Sequence, residues 1–191
     1  MPAGSRWISH TAALALGAGL GAAGMFAALN HQGEHASHAH YAGQDARQIS
    51  SLSREDVASL QRGAGWGLAK PAELNGYPGP RHVLDAAEKI GLTATQKQQV
   101  EAIFHKMNLA ARQLGKEYIG AEAALDAVFA ENQADERKLT SALAAAEKLR
   151  ARLRAIHLSA HLETAPLLDA SQKKKYAELR GYGGHANHTK H

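Results

Sequence analysis

The sequence predicts an all-α protein, in which an N-terminal transmembrane or signal helix precedes a long antiparallel α-hairpin with short flanking helices. Three observations support this prediction. The chain of 191 residues is rich in alanine, leucine and glutamate, and aromatic residues make up only 5% of it, a composition that favours helices. Apolar residues recur at helical spacing along two long runs. No segment shows the alternation of apolar and polar residues that is typical of strands.

The first 30 residues are predicted to be a signal anchor or a signal peptide. No charge occurs between Thr11 and Leu29, and a helix of this length is about long enough to cross a bilayer. Ala22 and Gly24 are small enough for a cleavage site, but they lie within the apolar run, so we favour an uncleaved anchor. Arg6 precedes the run and no basic residue closely follows it. The N-terminus is therefore expected in the cytoplasm, with residues 11–29 anchoring an exported chain in the bacterial inner membrane.

Histidine is the compositional outlier, because the chain contains 12 histidines that are unevenly distributed. Residues 31–50 are polar, lack apolar periodicity and are predicted to form a flexible linker, whereas residues 184–191 are predicted to be a disordered tail. The histidines of these two segments are His31, His35, His38, His40, His185, His188 and His191. Such tracts can bind copper, nickel or zinc loosely, and the alternative is a polar, weakly titrating segment without a metal.

Residues 51–183 are predicted to form the helical domain. Three pairs with capping-box spacing mark the expected helix starts. These pairs are Ser53 with Asp56, Thr93 with Gln96, and Asp169 with Gln172. The helix that begins near Ser53 is expected to be short, and the one that begins near Asp169 is expected to end near Arg180.

The segment between the first two of these helix starts is dense in glycine and proline. Residues 63–80 are predicted to be turns and irregular chain, held in place by Trp66 and Tyr77. Pro80 suits the first turn of a following helix, and Gly91 suits its end.

Two long helical runs follow, one from Thr93 to about Ala130 and a second that Pro166 ends or bends. Polar residues at 131–136 separate them. The apolar stripe of the first run comprises Val100, Ile103, Phe104, Met107, Ala111, Leu114, Tyr118, Leu125 and Phe129. Together these patterns predict two antiparallel helices at the centre of the domain.

Two short motifs, "LTATQ" at 92–96 and "LDASQ" at 168–172, stand on either side of the long runs. They resemble the motifs of the LTXXQ family of exported bacterial proteins, which includes the Spy and CpxP periplasmic chaperones and heavy-metal-resistance and metal-sensor relatives. Asp169 stands where the family has threonine, and aspartate caps a helix equally well. The stretches "ELNGYPGPRHVL" (73–84) and "KYAELRGYG" (175–183) are also similar to a subgroup of that family. The resemblance covers roughly residues 50–183.

This resemblance implies a fold and a compartment more firmly than a task. It implies an all-α hairpin that forms a homodimer in the periplasm. Some members of the family bind unfolded client proteins, and others bind nickel, cobalt, copper or zinc.

The strongest candidate site is the pair His157 and His161, four residues apart in the second long run. Helical geometry places both on one face, with His157 inside the apolar stripe and His161 at its edge, so both are expected to be partly buried. Neutral imidazoles are good ligands for nickel, cobalt, copper or zinc, and the resemblance implies such a pair in this helix. The alternative is that both rings pack and bind water or a carboxylate such as Glu163 or Glu117.

Two histidines make only half a metal site, so further ligands must come from elsewhere. A turn near residues 131–135 brings residues 105–109 opposite the pair. Glu101, His105 and Met107 are therefore candidates, although the helical projection directs His105 away from the core.

The sequence thus predicts an exported periplasmic protein that binds a divalent transition metal in envelope stress, heavy-metal resistance or metal sensing. The alternative is a Spy-like, ATP-independent holdase that binds unfolded clients on a basic and apolar face. The basic residues of that face are Arg150, Arg152, Arg154 and Lys173–Lys175. A homodimer is expected in either case, and a membrane signalling partner is a further expectation for the sensor.

Other classes of function find no support in the sequence. The chain has no cysteine, which excludes disulfides and thiolate metal sites. No nucleophile–base pair or carboxylate pair indicates an enzyme, and no organic cofactor is expected. The basic clusters lie in helical patterns without an aromatic platform, so no nucleic-acid partner is expected.

Overall fold

The computed structural model describes residues 41–132 and 134–182. The chain divides into two compact units, Met1–Ala42 and Gly43–His191, and every helix below belongs to the second. The predicted anchor, the histidines of 31–40 and the histidine-rich tail lie outside the described residues. Within those residues, no helix is long and apolar enough to cross a membrane.

The described residues are mostly helical and contain no β-strand, which confirms the prediction of an all-α fold. Seven α-helices follow one another in this part of the chain. They are α1 (Arg54–Gln61), α2 (Lys70–Glu73), α3 (Pro80–Asp85), α4 (Ala87–Ile90), α5 (Ala94–Ala130), α6 (Glu136–Thr164) and α7 (Ala170–Leu179). A 3-10 turn, Ala165–Leu167, contains Pro166 and separates α6 from α7, as the proline predicts.

All three predicted capping boxes are present, at the starts of α1, α5 and α7. In each box the cap side chain accepts a hydrogen bond from the backbone of the third helical residue, whose side chain accepts from the cap backbone. Gln96 and Gln172 also join their two helices. The Nε2 of each amide lies 2.9 Å from the Oε1 of the other. The two motif glutamines therefore join the start of α7 to the start of α5 by hydrogen bonds.

The glycine- and proline-rich segment 63–80 is irregular apart from the single turn of α2. Trp66 holds it as predicted, because its Nε1 donates to Asp56 at 2.7 Å and its ring packs on Tyr118. Tyr77 also holds this segment, through its backbone carbonyl, which lies 2.6 Å from Nδ1 of His161, whereas the residue itself is 44% exposed. The helix predicted from Pro80 to Gly91 is interrupted at Ala86 and forms α3 and α4.

The long helices α5 and α6 pack against each other. Near the start of α5, the Nζ of Lys106 lies 3.2 Å from Oε1 of Glu163, which is near the end of α6. Further along lies an apolar cluster shared with α1. It includes Leu60, Ala111, Leu114, Tyr118, Ala146 and Leu153. A second cluster joins α3, α4, α5 and α7, and it consists of Val83, Ile90, Val100, Leu168 and Tyr176.

The predicted apolar stripe is buried only in part. Among its large residues, Val100, Met107, Leu114 and Tyr118 are buried, Ile103 and Phe104 are half-buried, and Phe129 is 56% exposed. On α6, Leu143 is 46% exposed. Helix α1 packs on α5 near Gly115 and does not reach these outer segments of α5 and α6. No other helix of the described part covers them.

Candidate functional site

His157 and His161 lie one helical turn apart in the last third of α6, and both are buried. His157 is 3% exposed and His161 is 9% exposed. Helix α6 begins after its cap residue, Asp135, and extends over 29 residues, so it carries both side chains. Two polar side chains at such burial need partners, so their surroundings decide what they do.

The ring of His161 is oriented by the segment that precedes α3. Its Nδ1 lies 2.6 Å from the carbonyl oxygen of Tyr77 and 3.7 Å from Oε2 of Glu73. A carbonyl oxygen only accepts hydrogen bonds, so Nδ1 carries the proton and donates it. In the neutral ring, Nε2 then holds the lone pair. That nitrogen lies beside Gly79, where an added Cβ would come within 2.6 Å of it.

His157 has an unsatisfied nitrogen. Its Nε2 is buried and has no hydrogen-bond partner among the described residues. Burial of the ring lowers the pKa of His157 to about 4, and the nearby His161 adds to the effect. The side chain is therefore neutral at pH 7. A buried imidazole nitrogen without a protein partner is unusual in a folded protein, and a water, an ion or a ligand can satisfy it.

Both histidines line a cavity of about 560 Å³. Its buried lining includes Met107 with the two histidines, and its exposed lining includes Arg62, Arg81 and His82. Along α5 the cavity falls between the residues of the two apolar clusters. It is therefore a half-open cleft between the two clusters, with buried and exposed side chains in its lining.

A half-buried carboxylate, that of Glu73, lies next to His161. It accepts hydrogen bonds from the Gly79 backbone at 3.2 Å, from the Tyr182 hydroxyl at 3.2 Å and from the Tyr176 hydroxyl. Arg180 is its ion-pair partner, with 3.6 Å between Nε and Oε1. Burial of the ring and the hydrogen bond to Glu73 raise the pKa of Tyr176. Glu73 thus ties the end of α7 to the segment that orients His161.

Of the other predicted ligands from α5, one lines the cavity and two do not. Met107 lies in the wall of the cavity, whereas Glu101 and His105 do not line it, and His105 is exposed beside Phe104. The carboxylates suggested as partners for the histidine pair are engaged elsewhere. Glu163 pairs with Lys106, and Glu117 accepts from Gln113.

No group of three or more histidine, aspartate or glutamate side chains within 41–132 and 134–182 is arranged to hold a metal ion. The described chain therefore offers the two imidazoles of α6 as a partial site. The histidines of the linker and the tail lie outside the described residues.

Sequence reasoning missed Glu73 and His82 as site residues. Both belong to the stretch 73–84, and the residues that bind Glu73 from the other side belong to 175–183. The sequence does carry a signal for these residues, because both stretches are similar to the same subgroup of one family. What the sequence did not show is that they meet at a single carboxylate.

Searches of protein-family models, curated proteins and solved structures found no match to this chain. The resemblance to the LTXXQ family therefore stays a prediction, carried by its motifs and by their order along the chain.

Proposed function

We propose that this chain is an exported periplasmic protein that binds a divalent transition metal, in heavy-metal resistance or metal sensing, through His157 and His161. One observation carries the proposal. The buried Nε2 of His157 has no hydrogen-bond partner within residues 41–132 and 134–182, and His157 lines the same cavity as His161. An imidazole nitrogen that carries no proton can bind a metal ion through its lone pair.

The surroundings of His161 support the same role. Metal-binding histidines usually donate their other ring nitrogen to a carbonyl or a carboxylate, which fixes the tautomer and the orientation of the ring. Tyr77 provides that carbonyl, and Glu73 lies next to it. Neutral imidazoles suit nickel, cobalt, copper and zinc. His82, an exposed residue of the cavity lining, is the candidate in this unit for a further ligand.

The architecture and location belong to the same proposal. We take α5 and α6 as the antiparallel hairpin of an LTXXQ-type homodimer, anchored in the inner membrane by residues 11–29. In this arrangement the cavity faces the periplasm, where metal ions enter the cell envelope. A membrane signalling partner would recognise the metal-bound form of the protein.

Calorimetric titration of the full chain with nickel, cobalt, copper and zinc tests the proposal. The His157→Ala/His161→Ala variant should lose the tightest binding step, whereas His105→Ala, which removes an exposed histidine of α5, should keep it. Weak binding by the histidine-rich segments should remain in every variant. An unchanged tightest step in the double variant would exclude this pair as the site.

A Spy-like holdase is the second candidate, and exposed apolar side chains favour it. Leu109 is 74% exposed, Leu162 59% and Phe129 56%, all on the two long helices. Such side chains can hold unfolded chains transiently. Suppression of client aggregation in the absence of metal tests this function. The wild type and the double histidine variant should then act equally, and Leu109→Ser/Leu162→Ser should act poorly.

A further inference from the structure

The cavity beside His157 is larger than a metal ion requires. Its volume is about 560 Å³. A water molecule takes about 30 Å³ in the liquid, and pockets for small organic ligands span about 300–1,000 Å³. An ion with a few bound waters would leave most of this space unused. The size of the cavity therefore indicates a small organic molecule as well as the ion.

The charge of the cavity wall points to the nature of that molecule. Arg62 and Arg81 are among the residues that line the cavity, and none of the described residues that line it is an aspartate or a glutamate. Arg81 is paired with Asp85 at the surface, with 3.1 Å between Nε and Oδ1. Among the described residues, no carboxylate lies within ion-pair distance of Arg62, whose Nη2 is 3.5 Å from the Ser59 hydroxyl. The half-buried carboxylate of Glu73, which lies next to His161, is already paired with Arg180.

The described wall supplies no anionic ligand to a metal ion. Two neutral imidazoles cancel none of the charge of a divalent ion, so an anionic second ligand would strengthen its binding. A metal bound to a small polycarboxylate carries little net charge or a negative one. Its free carboxylate oxygens match the donors of a guanidinium group.

We propose that the cavity takes the metal as its complex with a small organic polycarboxylate. The imidazoles of His157 and His161 bind the metal, and Arg62 binds the carboxylate. The chelator fills coordination positions that the described residues leave open, which fits the lack of a third grouped ligand among them. The inference rests on the proposed metal function and names the form in which the metal is bound.

Equilibrium dialysis of the full chain tests this inference. The probes are nickel chloride and radiolabelled citrate, applied separately and together, with nickel and citrate measured independently. The wild type should retain citrate only when nickel is present, with one citrate per chain at saturation. Arg62→Gln should weaken citrate retention about tenfold, the loss expected for one charge-assisted hydrogen bond. Arg137→Gln, at the other end of α6, is the matched control and should behave as wild type.

The possible outcomes separate this inference from the function on which it rests. If nickel is retained through His157 and His161 while citrate stays free, the chelate is excluded and the metal site remains. If citrate is retained equally without nickel, the cavity is an anion site and the chelate is also excluded. If the His157→Ala/His161→Ala variant retains nickel as wild type does, the proposed function itself fails. Circular dichroism of each variant verifies that the helices are intact.

Discussion

At position 157 a histidine occupies a place on α6 that the apolar pattern assigns to a residue such as leucine. Its ring is 3% exposed, and its pKa is lowered to about 4. An ordinary histidine has a pKa of about 6.5 in the unfolded chain. This difference makes the metal-free protein sensitive to acid at one identifiable residue.

The pH dependence of stability should therefore change in His157→Leu. Between pH 6.5 and about 4, the unfolded chain protonates this ring and the folded chain does not, so stability falls as the pH falls. The full shift corresponds to a loss of about 3 kcal/mol, complete near the folded pKa and absent at pH 7. Urea unfolding of metal-free protein at several pH values measures it. The leucine variant should lose this part of the acid sensitivity, and His105→Leu should retain it. Equal acid sensitivity in wild type and His157→Leu would contradict the buried, neutral ring.

Gly79 is a second residue whose identity the site requires. A Cβ at this position would lie 2.6 Å from Nε2 of His161 and 2.7 Å from its Cε1. Gly79→Ala should therefore displace the ring and lower the free energy of unfolding by about 1–3 kcal/mol, as overpacking does. Gly65→Ala is the matched control, since Gly65 lines the same cavity but has no atom within 4 Å of its added Cβ. Urea denaturation of both variants measures the difference, and equal stability would contradict the close approach.

At this scale the sequence predicted part of the site. Helical periodicity correctly placed His157 inside the apolar stripe and His161 at its edge. It did not identify Glu73 or the Tyr77 carbonyl, because both come from the irregular segment 63–80. Periodicity carries no information about such a segment, whose path depends on tertiary contacts.

The elements that hold the site in place are joined by the motif glutamines. Gln96 and Gln172 each complete a capping box, and their amides also bond to each other at 2.9 Å. Gln172 further donates to the Gly91 carbonyl at 3.0 Å, and Gln96 to the Leu167 carbonyl at 2.7 Å. Loss of either side chain thus disturbs both helix starts at once.

A double-mutant cycle tests this contact. Gln96→Ala and Gln172→Ala should be non-additive, with a coupling free energy of about 0.5–3 kcal/mol measured by urea unfolding. A cycle between Gln113→Ala and Gln172→Ala is the control, because Gln113 is an exposed glutamine of α5 bonded to Glu117. Additive effects for the first pair would show that the two caps act independently.

The sequence predicted these elements well, because helix ends are set locally. All three cap pairs gave the correct helix starts, and the interruption at 131–136 gave the end of α5. The same local signals could not show that the glutamines of two separate caps meet. That contact depends on how α7 folds back, which the sequence pattern does not encode.

For the whole molecule, the outer parts of α5 and α6 are the least covered. Phe129 is 56% exposed, and Leu139 and Leu143 are 36% and 46% exposed. The apolar stripe predicted burial here, and the described chain does not supply it. The proposed homodimer would supply it, since apolar side chains left on a thin pair of helices favour association.

Sedimentation velocity over a range of concentrations tests the dimer. The wild type should associate, and Phe129→Ser/Leu143→Ser should require at least about a tenfold higher concentration, the loss of about 1.4 kcal/mol. Leu74→Ser/Leu179→Ser is the control, since these two exposed leucines lie outside α5 and α6. A wild type that stays monomeric would contradict the proposed assembly.

The central claim is that the ring nitrogens of His157 and His161 bind a metal, and long-range proton–nitrogen NMR tests it most directly. The full chain carries ¹⁵N-labelled histidine and is titrated with zinc. The account predicts that the Nε2 resonances of His157 and His161 shift to values of metal-bound nitrogen. Nδ1 of His161 should keep its proton, which is donated to the Tyr77 carbonyl. If zinc shifts only the other histidines and leaves both Nε2 signals unchanged, the claim is contradicted.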